Sequence, residues 1–218
     1  MKLGVFDSGI GGEAIAQALR TTFPGAQIET VSDREHVPYG DKSPTEVRDL
    51  TEIALQPLLV AGDCHVIILA CNTATAVAIE YLRDKYPSQK FIGVEPMIKP
   101  AAAHTKSGVV AVCATPATLA SQRYKQLVQT YGSTLEIIEP DCKEWAYLIE
   151  NSLINRAHID TIIENALQHG ADVIVLGCTH YHWIKEMIEE IVAGRAAILE
   201  PSEAIGQRVK YLLRQIAE

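Results

Sequence analysis

Positive charge is scarce in this chain: 19 Lys and Arg stand against 27 Asp and Glu, for a formal net charge of -8 over 218 residues. A surface so short of cations does not suit a phosphate backbone, so nucleic acid is not an expected partner. Nor is there an apolar run approaching the roughly 20 residues of a membrane helix. The opening Met1-Lys2-Leu3-Gly4-Val5-Phe6 leads straight into strand-like sequence with no small-residue cleavage site, so neither a signal peptide nor a membrane anchor is expected. A cytoplasmic location is the resulting expectation. The C-x-x-C spacing of zinc knuckles and redox pairs is missing from Cys64, Cys71, Cys113, Cys142 and Cys178, which predicts free thiols. His36, His65, His104, His158, His169 and His182 form no metal-ligand spacing, so no metal is predicted. Gly9, Gly11 and Gly12 match neither G-x-G-x-x-G nor the lysine-bearing phosphate loop, which argues against a nucleotide. Length and a 48% hydrophobic content exclude disorder, collagen and miniprotein scaffolds.

What the chain does have is repetition. Val66-Ile67-Ile68-Leu69-Ala70-Cys71-Asn72-Thr73 returns half a chain later as Val173-Ile174-Val175-Leu176-Gly177-Cys178-Thr179-His180. At nearly the same offset, Ile92-Gly93-Val94-Glu95-Pro96 is echoed by Ile198-Leu199-Glu200-Pro201. Leu3 to Phe6 resembles Val109 to Val112, and Gln27 to Val31 resembles Thr134 to Ile138. Branched apolar runs of the last kind occur in any α/β protein. A strand, a small residue, a cysteine and a polar pair recurring in the same order argue for two similar halves.

Within each half, apolar runs alternate with amphipathic stretches such as 44–60 and 73–86, the pattern of parallel strands flanked by helices. The predicted fold is α/β: two pseudo-symmetric lobes, each a parallel sheet flanked by helices, with the active site in the cleft between them. Residues 1-97 are assigned to the first lobe and 98-204 to the second, with 205-218 packing back on the first. Ligands of such sheets bind beyond the carboxyl ends of the strands, where Asp7, Cys71, Thr118 and Cys178 fall.

Two thiols at matched positions suit a reaction that needs a base on each side of one carbon. In racemisation one thiolate removes a proton from one face while the opposite thiol delivers a proton to the other. A thiol's reference pKa of about 8.5 can be lowered by a helix N-terminus or a neighbouring charge. Backbone N–H groups around Asn72, Thr73, Thr179 and His180 could cap the following helices or hold a carboxylate without arginine.

These segments resemble the cofactor-independent aspartate/glutamate racemases over essentially the whole chain. The motifs are Gly4 to Gly12, Val37-Pro38-Tyr39-Gly40 through Ser43, Ala70 to Ala74, Gly93 to Pro96, and Val175 through Tyr181. The resemblance implies interconversion of L- and D-glutamate, supplying D-glutamate for peptidoglycan, with no cofactor. It implies that Cys71 and Cys178 are the acid/base residues, the first facing the α-hydrogen of the D-amino acid and the second that of the L-amino acid. Asp7 would assist the first thiol and His180 the second, with Glu150 sometimes part of the same machinery. Asn72, Thr73 and Thr179 would hold the α-carboxylate; Ser8, Tyr39 and Gly40 would meet the side-chain carboxylate; Thr118 would line the second lobe's wall. Glu13, and His182-Trp183 after Tyr181, depart from the residues the family usually carries.

Two other readings stand beside this one: a relative acting on aspartate or another small acid, and a non-enzymatic protein that binds small carboxylates. A homodimer is a further expectation. Cys64, Cys113 and Cys142 are predicted to be small buried apolar residues without a chemical role.

Overall fold

Uninterrupted apolar runs fit strands covered on both faces, and such strands form the sheet centres in the computed structural model, which describes residues 1–61 and 63–217. The chain divides into two compact units, Met1–Glu95 with Pro201–Glu218, and Pro96–Glu200. Each passage from one unit to the other falls at a Glu-Pro pair, Glu95-Pro96 and Glu200-Pro201.

The first unit contains β1 (Lys2–Asp7), α1 (Gly11–Thr22), β2 (Gln27–Ser32), α2 (Pro44–Ala61), β3 (Val66–Leu69), α3 (Asn72–Lys85) and β4 (Phe91–Gly93). Its strands pair in parallel in the order β2-β1-β3-β4. Alternate residues of a strand point to opposite faces, and the core divides accordingly. Leu3, Val5, Val66 and Ile68 pack with Ile15 and Leu19 of α1, whereas Phe6, Ile67 and Leu69 pack with Val47, Leu55 and Leu58 of α2 and Ala78 and Leu82 of α3. All of these are essentially fully buried, each contributing about 1.5–3 kcal/mol for the larger aliphatic side chains.

The second unit repeats the scheme with α4 (Ile98–His104), β5 (Val109–Ala114), α5 (Pro116–Ala120), α6 (Gln122–Tyr131), β6 (Glu136–Ile138), α7 (Trp145–Glu150), α8 (Arg156–Gln168), β7 (Val173–Gly177), α9 (Lys185–Val192) and β8 (Ala197–Leu199). Its parallel sheet runs β6-β5-β7-β8, the same order position for position. The repeat holds in register too. Leu3 lies opposite Val66 and Ile67 opposite Phe91, as Val110 lies opposite Val173 and Ile174 opposite Ile198. Only the outer strand shifts: Leu3 pairs with Ile28 but Val110 with Ile137, after a slightly longer connection.

The last helix, α10 (Ser202–Ala217), packs on the first unit. Ile205, Val209 and Leu212, spaced four and three apart and so on one helical face, join the core around Leu3, Val5 and Ile15. Among the described residues no helix is long and apolar enough to cross a membrane.

Candidate active site

In the first unit the polar residues gather where β1 and β3 end. Asp7 is the last residue of β1 and only 1% exposed, and its Oδ2 accepts a hydrogen bond from the Gly9 N–H at 2.8 Å. The turn into α1 then brings Gly12 against it: a Cβ at Gly12 would stand 2.6 Å from the Asp7 Cβ, so only glycine permits this approach. Cys71 follows β3 and caps α3, its Sγ accepting from the Ala74 N–H at 3.4 Å. The Ser8 hydroxyl lies 3.4 Å from the same sulfur. Burial, and next the Asp7 carboxylate, push the Cys71 thiol up to about 11, against the opposing pull of the Ser8 hydroxyl and the Ala74 and Ser8 N–H groups. Both upward effects favour the protonated thiol.

Asn72 and Thr73 open α3 and are buried. Among the described residues neither amide atom of the buried Asn72 side chain has a hydrogen-bond partner, which is costly in an interior unless a ligand engages them. Tyr39 and Gly40 lie in a short 3-10 turn, Tyr39–Asp41. The Tyr39 ring is buried beside Phe6 and its hydroxyl donates to Asp33 Oδ2 at 2.7 Å; burial and that carboxylate push the phenol's pKa far up. Asp33 also lies 2.7 Å from His36 Nδ1. Sequence reasoning missed Asp33, which orients a predicted substrate-binding side chain but carries no motif of its own.

In the second unit Cys178 follows β7 as Cys71 follows β3, and both are nearly buried. The junction differs from the strand-to-helix turn expected there. Cys178 enters a 3-10 segment, Thr179–Ile184, and α9 starts only at Lys185. Tyr181 accounts for the difference, because its fully buried ring packs edge-on against Trp145 and its hydroxyl donates to the Cys142 carbonyl at 3.0 Å. The polar help comes from elsewhere. His180 Nδ1 lies 3.8 Å from the Cys178 sulfur, and its Nε2 lies 2.6 Å from Glu150 Oε2 at the end of α7. Cys178, His180 and Glu150 thus form one chain of contacts, with the His180 and Glu150 side chains 4% and 14% exposed. Thr179 is buried beside them in sequence.

The remaining predicted residue, Thr118, is buried in α5, where its N–H donates to the Thr115 hydroxyl that caps the helix and its own hydroxyl accepts from Thr115 at 3.0 Å. Cys64, Cys113 and Cys142 are buried and free, and burial raises the thiols of Cys64 and Cys142. Glu13 pairs with Arg20 on the exposed side of α1, while His182 approaches Glu200 at 3.4 Å and Trp183 is exposed.

Each parallel α/β unit places a buried cysteine with polar side chains beside it beyond a central strand, and the comparisons with known proteins give the class of protein to which this arrangement belongs. Residues 12–205 match the family described as Asp/Glu/Hydantoin racemase. The chain is 36% identical to the glutamate racemase of Ectopseudomonas mendocina, across 98% of this chain and 82% of that protein, and 37% identical to that of Sulfurovum sp., across 99% and 83%. Among solved structures it is similar to Escherichia coli glutamate racemase in complex with L-glutamate and the activator UDP-MurNAc-Ala, with a TM-score of 0.87 and 27% identity over 98% of this chain and 82% of that one. The chain belongs to the Asp/Glu/Hydantoin racemase family. It is an amino-acid racemase, and so an isomerase.

Proposed function

We propose that this chain interconverts L- and D-glutamate without a cofactor, with Cys71 and Cys178 as acid and base on opposite faces of the α-carbon. The observation that carries this reading is the pair itself: two cysteines at equivalent positions beyond β3 and β7, each with its own polar attendants. Catalysis of this kind starts with one sulfur protonated and the other ionised. Burial and Asp7 favour the protonated form at Cys71, and an imidazole beside Cys178 offers a place for that thiol's proton. With L-glutamate, the Cys178 thiolate takes the α-proton, the electron pair is held as a carbanion conjugated with the α-carboxylate, and Cys71 delivers its proton to the other face. The D-enantiomer runs the same steps in reverse.

Carbanion formation is the difficult step, and hydrogen-bond donors fixed on the carboxylate lower it by meeting charge that grows in the transition state. Asn72, Thr73 and Thr179 take that role in this reading, the unpartnered amide of Asn72 being the best supported. Ser8, Tyr39 and Gly40 receive the side-chain carboxylate and Thr118 lines the site. The thiols must stay reduced, which fits work in the cytoplasm, where D-glutamate enters peptidoglycan synthesis. A homodimer belongs to the same reading, and sedimentation velocity would detect it. The relatives named glutamate racemase favour glutamate over aspartate.

The test is α-proton exchange in deuterated water, followed by NMR with each enantiomer of glutamate and aspartate. Glutamate exchanges and racemises in the expected outcome. Exchange of aspartate alone would overturn the substrate, and no exchange with any of the four by freshly reduced protein would leave only carboxylate binding. Cys71→Ser and Cys178→Ser should each lose full turnover, by about a hundredfold or more, which corresponds to removing one acid/base partner.

A further inference from the structure

The 3-10 segment that carries Cys178 and His180 is fastened on one side by two contacts already described, His180 to Glu150 and Tyr181 to the Cys142 carbonyl. On the other side His182 approaches the residue that follows β8. Its side chain is 8% exposed, its Nδ1 lies 3.4 Å from Glu200 Oε2, and its Nε2 is buried with no hydrogen-bond partner among the described residues. Glu200 follows β8, which pairs with β7 in the register Val175 to Leu199, so it stands at the carboxyl end of the strand next to the one that delivers Cys178. Glu200 is also the last residue of the second unit, directly before Pro201. A nearly buried imidazole with a single polar tether costs desolvation at both ring nitrogens and recovers little of it, so packing alone would favour an apolar side chain there. Burial disfavours its charged form and Glu200 opposes that effect, with Lys185 acting in the same direction as burial.

We propose that His182 and Glu200 form a positioning pair for the racemase reaction, holding the Thr179–Ile184 segment against the end of β8 so that Cys178 and His180 keep their working geometry. Neither residue touches substrate; both act through the segment. The inference rests on the two-thiol reading above, and it concerns one thiol only. Cys71 is carried by β3 and α3 in the other unit.

That one-sidedness gives a test. Enantiomers have equal free energy, so kcat/KM must be the same in both directions for the wild type and every variant, and rate alone cannot say which thiol is impaired. Isotope effects can. His182→Phe and Glu200→Gln are assayed with α-deuterated L- and D-glutamate. Misplacement of Cys178 should lower kcat/KM, by up to about a hundredfold for an ångström-scale shift. It should also make proton transfer at Cys178 limiting, so that the isotope effect rises for deuterated L-glutamate and falls for deuterated D-glutamate.

A smaller active fraction from a merely structural defect lowers kcat and leaves both isotope effects where they were. Opposite movement of the two effects in either variant supports the pair, and Glu200→Gln decides alone if His182→Phe does not fold. Unchanged isotope effects in the folded variants would overturn it. Failure of the wild type to racemise glutamate would instead overturn the function on which the pair depends, and the two failures are separate readouts.

Discussion

At the scale of single residues, the two cysteines are alike in position and unlike in company. Cys71 has a carboxylate and a hydroxyl beside it, whereas Cys178 has an imidazole backed by Glu150. By the register of the repeat, the place of Asp7 in the second unit is taken by Ala114, so the second thiol draws its polar help from the segment after it and from α7. Replacing Asp7 by Asn removes a negative neighbour from Cys71, and its thiolate becomes easier to form. The pH dependence of alkylation at Cys71 in the Cys178→Ser background should then shift to lower pH in Asp7→Asn. A shift upward would mean that Asp7 stabilises the thiolate through hydrogen bonding rather than opposing it through charge.

At the scale of elements, close approaches that only glycine allows fix how strands meet helices. A Cβ on Gly93 at the end of β4 would lie 2.4 Å from Thr75 Cγ2. Thr75 cannot easily withdraw, because its hydroxyl donates to the Leu69 carbonyl and accepts from the Val94 N–H, joining α3 to both β3 and β4. Gly93→Ala should therefore cost about 1–3 kcal/mol, the usual penalty of overpacking, measured as a lowered urea midpoint at unchanged slope. Asp172 is a second such fastening, accepting from the Thr105 hydroxyl and the Lys106 and Ser107 N–H groups in the turn between α4 and β5. Asp172→Ala should lower stability by about 1–3 kcal/mol by the same assay, since it frees three donors at once.

Much of this level was legible in the sequence. Continuous apolar runs such as Val66 to Leu69 and Val173 to Gly177 give away central strands because a strand covered on both faces has no polar alternation to hide it. The cysteine repeat likewise predicts equivalent strands, and β3 and β7 are equivalent. The 3-10 path after Cys178 was not legible, since it depends on Tyr181 reaching a carbonyl 39 residues away. The meeting of His180 with Glu150 and of Tyr39 with Asp33 leaves no local pattern either: such side-chain contacts depend on how helices and loops are brought together. Glu150 was in view only through family resemblance, and Asp33 not at all.

At the scale of the whole molecule, titrating groups bound stability at both ends of the pH range. Cys71 is held up to about 11, above the ordinary thiol range, and burial raises Cys64 in the same direction. The folded state therefore binds more protons than the unfolded one in that interval, and their contribution, complete below the ordinary thiol range, is lost as pH rises through about 11. In the acid range, Glu52 is lowered to about 2 by hydrogen bonds from Lys85, Tyr81 and Tyr86. Burial would raise Asp172, but the N–H and hydroxyl donors around it outweigh burial and bring it to about 2 as well. Their contribution, present above the ordinary carboxylate range, is lost as pH falls toward 2. Scanning calorimetry should give a broad plateau in Tm around neutrality that declines on both sides, and a Tm that kept rising beyond pH 9 would contradict these assignments.

The packing of α10 on the first unit also sets an order of events during synthesis. The first unit is interrupted in sequence: its sheet is complete at Gly93, but Ile205, Val209 and Leu212, which cover Leu3 and Val5, are translated only after the whole of Pro96–Glu200. A ribosome makes about 5–20 residues per second, so the early sheet waits several seconds with one apolar face covered by α1 but not yet by α10, while the middle of the chain can already fold as a contiguous piece. The unit begun first is thus completed only after the second has been made, and the nascent chain stays exposed to chaperones and to aggregation until α10 leaves the ribosome.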